Sequence, residues 1–214
     1  GSSKMRAAVV SETKEGGVSI LGVFETPSAG FRKGRVVDFN EVVQSVGRLL
    51  SDARSLSKIA IKNIIVGLPS IDFKLHRSRG SVAVSRADLE IGENDIQRVL
   101  EAARAVNVSH NRMLAHTIPR EFIIDGVGDI ADPLGMSGGK LEADNLIIDL
   151  FSPSVKSITK SIEMAGGQMS SLVFEPLAIS RALLSKNQKD LGVMVLDIGF
   201  GITNIINFKL SLRK

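Results

Sequence analysis

The spacing of apolar residues divides the chain into alternating and helical stretches. Arg6 to Glu12 (RAAVVSE) and Val18 to Phe24 (VSILGVF) read as strands, and the TKEGG between them supplies a hairpin turn with glycines for positive φ. RKGRVVD marks entry into a third strand. Asp38 to Glu41 (DFNE) fits a capping box, with an acceptor at the N-cap and a glutamate three residues on. The helix that follows carries Val42, Val43, Val46, Leu49, Leu50 and Ala53 on one face and ends near SLSK. Ile61 to Leu68 (IKNIIVGL) is a continuous apolar run, which predicts a buried strand.

From about Ser70 the character changes. FKLHRSRGSVAVS predicts a basic turn and a short strand. IGENDIQRVLEAARAV predicts an amphipathic helix with Ile96, Val99, Leu100, Ala103 and Val106 inward. RMLAHTIPREFIID is a long strand interrupted by Pro119, which argues for an edge position or a bulge. GVGDIADPLGMSGG reads as a loop and KLEADNLIID as another strand. Strand, helix, strand, strand makes a compact inserted unit. Ser152 and Pro153 then open a helix with Val155, Ile158 and Ile162 on its buried face, and Gly166 and Gly167 end it. SLVFE is a short strand, PLAISRALLS a helix, and VMVLDIGFGITNI a strand, a Gly-x-Gly turn and a second strand. The fold class is α/β with an α+β insertion, and the outer elements, about 5–68 and 153–187, share one layered core.

Composition narrows the function classes. A chain of 214 residues that is 43% hydrophobic can bury a substantial core, in one domain or two small ones. It contains no apolar run of about 18 residues and no apolar signal-peptide region at its start. The absence of cysteine excludes disulfides and thiolate metal sites and fits a reducing compartment. The formal charge is +4, but Lys and Arg are scattered among acids. With no Trp or Tyr, and nine Phe that read as core, there is no stacking platform for nucleic acid.

The candidate chemistry begins at Asp197, Gly199 and Gly201. Glycines let backbone amides approach phosphate oxygens, and a neighbouring carboxylate holds Mg²⁺ through water. The competing reading is an ordinary hairpin with glycines for its turn. Glu175, at a strand end before a helix, is a second candidate for positioning water or metal, against the simpler role of an acid favoured by the helix dipole. His76, His110 and His116 lack metal-ligand spacing, and there is no Ser/His/Asp arrangement and no Walker-type loop. Met136 to Gly139 (MSGG) reads as a flexible loop rather than an anion nest. Lys74, His76, Arg77 and Arg79 read as a solvated basic turn.

Several stretches together resemble a known family. PSAGFRKGRVVDF, SRGSVAVS, HTIPREFIIDGVGDIADPLGMSG, KLEADNLII, LVFEPLAISRALLS and LGVMVLDIGFGITNI resemble the bacterial cell-division proteins of the FtsA family, which are actin-fold ATP-binding proteins. HTIPREFIIDG with DPLGMSG separates that family from actin-fold kinases, chaperone ATPases and pilus-assembly adaptors. The resemblance implies an actin-like (ribonuclease H-like) subdomain 1A from 1–70 and 153–190, an inserted subdomain 1C (SHS2) from 71–152, and the truncated start of subdomain 2A in 191–214.

GSSKM then matches the tail of the first phosphate motif, so Gly1, Ser2, Ser3 and Lys4 are expected to face the phosphates. An added Gly-Ser-Ser leader is the alternative, but it does not account for Lys4 and Met5. Asp197, Gly199, Gly201 and Thr203 belong to the second phosphate motif, with Mg²⁺ at Asp197 through water, and Glu175 lies on the metal and water side. Phe200, Ile202 and Asn204 depart from the family pattern, which has small, hydroxyl and acidic residues there. The implied cofactors are ATP and Mg²⁺, with weak hydrolysis at most. The implied partners are FtsZ, further copies of the chain through 1A and 1C, and later division proteins through 1C, at the inner face of the cytoplasmic membrane. The rest of 2A, the FtsZ-binding 2B surface and the C-terminal membrane helix are expected to lie outside this chain. KLSLRK departs from the family pattern and is too short to replace that helix. An interrupted 2A sheet is expected to expose apolar surface and favour self-association.

Overall fold

The structure is a computed structural model and describes residues 1–208. The expectation about the divergent ending at 209–214 lies outside the described residues. The chain forms two compact units, Gly1–Ile71 with the chain from Ser152 onward, and Asp72–Phe151 between them in sequence.

In the first unit β1 (Lys4–Glu12) pairs antiparallel with β2 (Val18–Pro27), with a register shift between Val9 and Val10. Gly16, at φ 75°, turns the chain between them. Alternation gives this hairpin two faces. Val9 and Phe24 pack with Ala53 of helix α1 (Phe39–Leu56), together with Leu50, Ala60 and Ile61. The opposite face leaves Val10, Val18, Ile20 and Val23 exposed.

RKGRVVD forms a tight hairpin, β3 (Phe31–Arg32) and β4 (Arg35–Val36), rather than one strand. Lys33 and Gly34 both have positive φ, 47° and 74°, as a two-residue turn of the primed type requires. Asp38 caps α1, its carboxylate accepting the Glu41 amide at 3.0 Å. After a short 3₁₀ turn at Ala60–Lys62, β5 (Ile64–Leu68) lies parallel to β10 (Met169–Phe174). The apolar run in β5 predicts a strand buried on both faces, but Ile65 is 69% exposed, because the strand is covered on one side only.

Helix α3 (Ser152–Met164) packs on α1 and closes at Gly166, whose φ of 84° lets the Gly166 and Gly167 amides return to Glu163 and Ile162 carbonyls at 2.9 Å each. Helices α4 (Glu175–Leu183) and α5 (Lys186–Leu191) lead to the antiparallel pair β11 (Val193–Ile198) and β12 (Thr203–Phe208). The strands of this unit pair in twos, β1 with β2, β3 with β4, β5 with β10 and β11 with β12.

The second unit is a four-stranded antiparallel sheet in the order β6-β9-β7-β8, formed by β6 (Lys74–Ala83), β7 (Arg112–Ile124), β8 (Val127–Ile130) and β9 (Lys140–Phe151). Helix α2 (Glu93–Arg104) lies on one face, where Val99, Leu141, Ala143 and Ile91 are fully buried. Val106, expected inward on that helix, falls beyond its end. Gly80 lets α2 cross β6 closely: a Cβ there would meet the Val99 carbonyl oxygen at 2.5 Å.

Two readings of this region change and one holds. The basic turn at Lys74 to Arg79 is the first half of the ten-residue β6, and His76 points inward, because strand alternation sends its side chain to the face opposite Arg77. Pro119 sits at a register shift in β7, on the stretch that β8 leaves uncovered, so it has both the bulge and the open edge expected of it. GVGDIADPLGMSGG contains β8 and a buried Pro133, and Met136 to Gly139 is tied down rather than flexible. There the Gly138 amide donates to Leu89, and the Asp125 carboxylate takes the Gly139 and Lys140 amides at 3.0 and 2.8 Å. Those amides are spent within the protein and leave no nest for an anion.

Candidate phosphate site at the last hairpin

The parallel pair β5 and β10 ends at one edge of the first unit, and ligands of parallel α/β arrangements gather at the carboxyl ends of the strands. Ser70 follows β5 and Glu175 follows β10 at that end. The hairpin β11–β12 is joined to it by hydrogen bonds. Asn204, 8% exposed, donates from Nδ2 to Asp197 Oδ2 at 2.8 Å. The Ser70 hydroxyl donates to Asn204 Oδ1. Asp197 and Asn204 are directly opposite across the ladder, so both side chains share a face. The carboxylate of Asp197 is thereby aimed by two groups that the sequence reading did not single out as a pair. The one signal for Asn204 was its departure from an acidic pattern; Ser70 carried none.

The Gly-x-Gly turn is closed by the Gly199 amide donating to the Ile202 carbonyl at 2.9 Å. A Cβ on Gly199 would meet that oxygen at 2.8 Å, so a side chain there would open the turn. Phe200 at the tip is 86% exposed. Gly201 faces the N-terminal segment: a Cβ on it would meet Ser2 Oγ at 2.6 Å and Lys33 Cα at 3.3 Å. Ser2 Oγ in turn accepts the Gly34 amide at 3.1 Å. Gly34 lies against Ile71 and Ile202. Ser2, the β3–β4 turn, the β11–β12 turn and the end of β5 therefore meet, although they come from four separate parts of the chain.

The other candidates are held differently. The Lys4 ammonium pairs with Glu25 at 3.0 Å. The Arg6 guanidinium and then Lys4 hold the Glu25 carboxyl below its ordinary value. Ser3 is exposed and its carbonyl accepts the Ser28 amide at 3.0 Å. Gly1 is exposed and sits close to the Lys4 carbonyl. Thr203 pairs with Ile198 and projects from the face of the hairpin opposite Asp197. Glu175 is half-buried as the first residue of α4, with Pro176 buried behind it. Among the described residues no three His, Cys, Asp or Glu side chains converge as a metal cluster; a cation bound at this hairpin would have Asp197 as the hairpin's one charged side chain and would need water and phosphate for its other ligands. The donor set of small residues, hydroxyls and one oriented carboxylate fits a phosphate accompanied by such a cation.

Residues 72–149 match the family model described as the SHS2 domain inserted in FTSA, nearly the whole second unit. The cell division protein FtsA of Bacillus subtilis (strain 168) is 35% identical over 201 residues, covering 94% of this chain and 46% of that protein. FtsA of Pseudomonas aeruginosa is 33% identical over 208 residues, 97% of this chain and 49% of that protein. The chain belongs to the FtsA family. FtsA of Escherichia coli (strain K12) agrees, at 32% identity over 205 residues, 96% of the chain and 48% of that protein. The chain thus spans about half the length of these relatives. Among solved structures, the PilM-PilN type IV pilus biogenesis complex superposes with a TM-score of 0.65 at 17% identity, covering 97% of this chain and 55% of that one. That likeness speaks to fold alone. The mixed α/β fold of this chain is thus shared with that structure, and the SHS2 match lies in the chain's second unit. No helix among the described residues is long and apolar enough to cross a membrane.

Proposed function

We propose that this chain is the first half of an FtsA-type cell-division adaptor and that its last hairpin binds the phosphates of ATP. In this reading the first unit, up to about residue 190, is subdomain 1A, Asp72–Phe151 is subdomain 1C, and β11–β12 begins subdomain 2A. The turn from Gly199 to Gly201 and the Gly1 to Ser3 segment take the phosphate oxygens. Asp197 holds Mg²⁺ through water, and Glu175 positions water at the end of β10. When bound, Mg²⁺ neutralises phosphate charge. The chain's own part is to aim Asp197, through Asn204 and Ser70, and to keep side chains out of the turn. The complete protein ties FtsZ to the cytoplasmic membrane at the division site, self-associates into filaments and recruits later division proteins through 1C.

One observation carries the nucleotide reading: the Gly201 turn, Ser2 and the Asp197–Asn204–Ser70 chain come together at the carboxyl end of a parallel strand pair. A calorimetric titration with Mg-ATP tests it. Binding that Asp197→Ala abolishes, in a sample folded by circular dichroism, is the expected result. No heat from a folded sample counts against nucleotide binding by this chain.

A further inference from the structure

The two edges of the four-stranded sheet differ. β8 is four residues long and pairs with β7 only at Phe122–Ile130 and Ile124–Val127, with a register shift between. The part of β7 that β8 leaves uncovered carries Pro119 and two register shifts. Short strands, proline and bulges all blunt an edge against added strands. β6 has none of them. All ten residues Lys74–Ala83 pair with β9 without a shift, and the strand contains no proline. Its outer side is a regular row of backbone donors and acceptors.

The solvent-facing side chains of β6 include Leu75, Arg77 and Arg79, while Gly80 lies under α2 and His76 turns to Asp149. Arg77 reaches Asp144 at 2.8 Å and Arg79 reaches Glu142 at 3.7 Å. Those carboxylates already serve Arg120, at 3.7 Å from Asp144, and Lys140, at 3.2 Å from Glu142. Two acids thus serve four cations, and both arginines of β6 remain more than half exposed, at 67% and 58%. A second copy is a poor occupant. Antiparallel pairing of two β6 strands about Ser78 sets Arg77 opposite Arg79 twice, and like charges directly opposite destabilise a ladder.

We propose that the outer edge of β6 takes an extended acidic segment of a partner protein as an added antiparallel strand, with carboxylates opposite Arg79 and Arg77 and an apolar side chain opposite Leu75. Main-chain hydrogen bonds supply the attachment and the alternate side chains supply the selection. The partner pattern is Glu-x-Glu-x-apolar, read in the partner's own direction. The inference rests on the adaptor reading for its biological sense and is independent of nucleotide.

The test uses the whole chain and a fluorescein-labelled peptide, TETETLT, followed by anisotropy. Expected are saturable binding, weakening by about ten-fold or more in Arg77→Glu/Arg79→Glu, and retention in Arg77→Lys/Arg79→Lys. TKTKTLT should not bind. TETETLT N-methylated at both glutamates should not bind either, because the amides opposite Arg79 and Arg77 are the ones that face the ladder and methylation removes their donors. Amide hydrogen exchange along β6 should slow in the complex. Equal binding of the N-methylated peptide or by the charge-reversed variant overturns the proposal, as does no binding of TETETLT at millimolar concentration to a folded chain. Capture of phosphatidylglycerol vesicles without peptide binding assigns the cationic strip to a lipid surface and also overturns it. Peptide binding with a silent Mg-ATP titration counts against the nucleotide reading alone.

Discussion

Replacing Asp149 by Asn should be among the costliest single changes in the second unit. Asp149 lies on β9 with its side chain 1% exposed, and the Arg112 side chain bonded to it from β7 is 9% exposed. A second nitrogen of Arg112 donates to the Asp72 carbonyl at 2.7 Å, and His76 Nε2 lies 2.6 Å from the other carboxylate oxygen. Asp149→Asn preserves shape but leaves a buried guanidinium without its anion. Breaking a buried pair in this way costs about 3–5 kcal/mol. The lower end applies here, near 3 kcal/mol, since the Asp72 carbonyl still accepts one Arg112 N–H. That is a large share of the roughly 5–15 kcal/mol that holds a domain folded. The chain has no Trp or Tyr, so the assay is urea denaturation followed by far-UV circular dichroism. The double variant Arg112→Met/Asp149→Leu removes both charges and should return to within about 2 kcal/mol of the parent. If Asp149→Asn costs less than about 1 kcal/mol, or the double variant costs as much as the two singles added, the pair is not a buried, coupled unit and the reasoning fails.

The same carboxylate sets an acid limit. Burial alone would raise its pKa, but the Arg112 and His76 bonds together outweigh burial and leave it below the ordinary value. A carboxyl whose pKa is lower folded than unfolded stabilises the fold above the unfolded value, about 3.9, and that contribution drains away as pH falls through the lower folded value. Acid titration of the parent should therefore show a stability loss below about pH 4 that Asp149→Asn lacks. Gly34→Ala forces a left-handed backbone, φ 74°, on a residue whose Cβ would overlap Ile71, and should cost about 2–4 kcal/mol by urea denaturation while weakening Mg-ATP binding. Asn204→Ala removes the link between Asp197 and Ser70; a cost of about 1–2 kcal/mol and faster amide exchange in β11–β12 are expected, and unchanged exchange would show the link to be idle. Met194, Leu196, Ile198 and Ile205 share one exposed face of β11–β12, so the chain should self-associate in light scattering and Ile198→Thr with Leu196→Thr should reduce it; clean monomer at high concentration in the parent would refute this.

Local rules in the sequence determined the elements. The DFNE cap starts α1, the paired glycines after Met164 end α3, the TKEGG turn joins β1 to β2, and the Gly-x-Gly turn joins β11 to β12. Such features act over a few residues, so their spacing alone reveals them. The glycine turn and Asp197 were legible for that reason, and the resemblance carried the family. Tertiary structure decided which groups meet. Asn204 finds Ser70, 134 residues away, and His76 finds Asp149, 73 residues away. Lys4, expected at the phosphates, lies on Glu25 because antiparallel pairing of β1 and β2 sets Lys4 and Arg6 beside that acid. Ile65 lies open in an apolar run because coverage depends on what packs over a strand, not on the strand's own pattern. Hydrogen bonds and ion pairs between distant strands follow from sheet order and register, and neither leaves a period in the sequence.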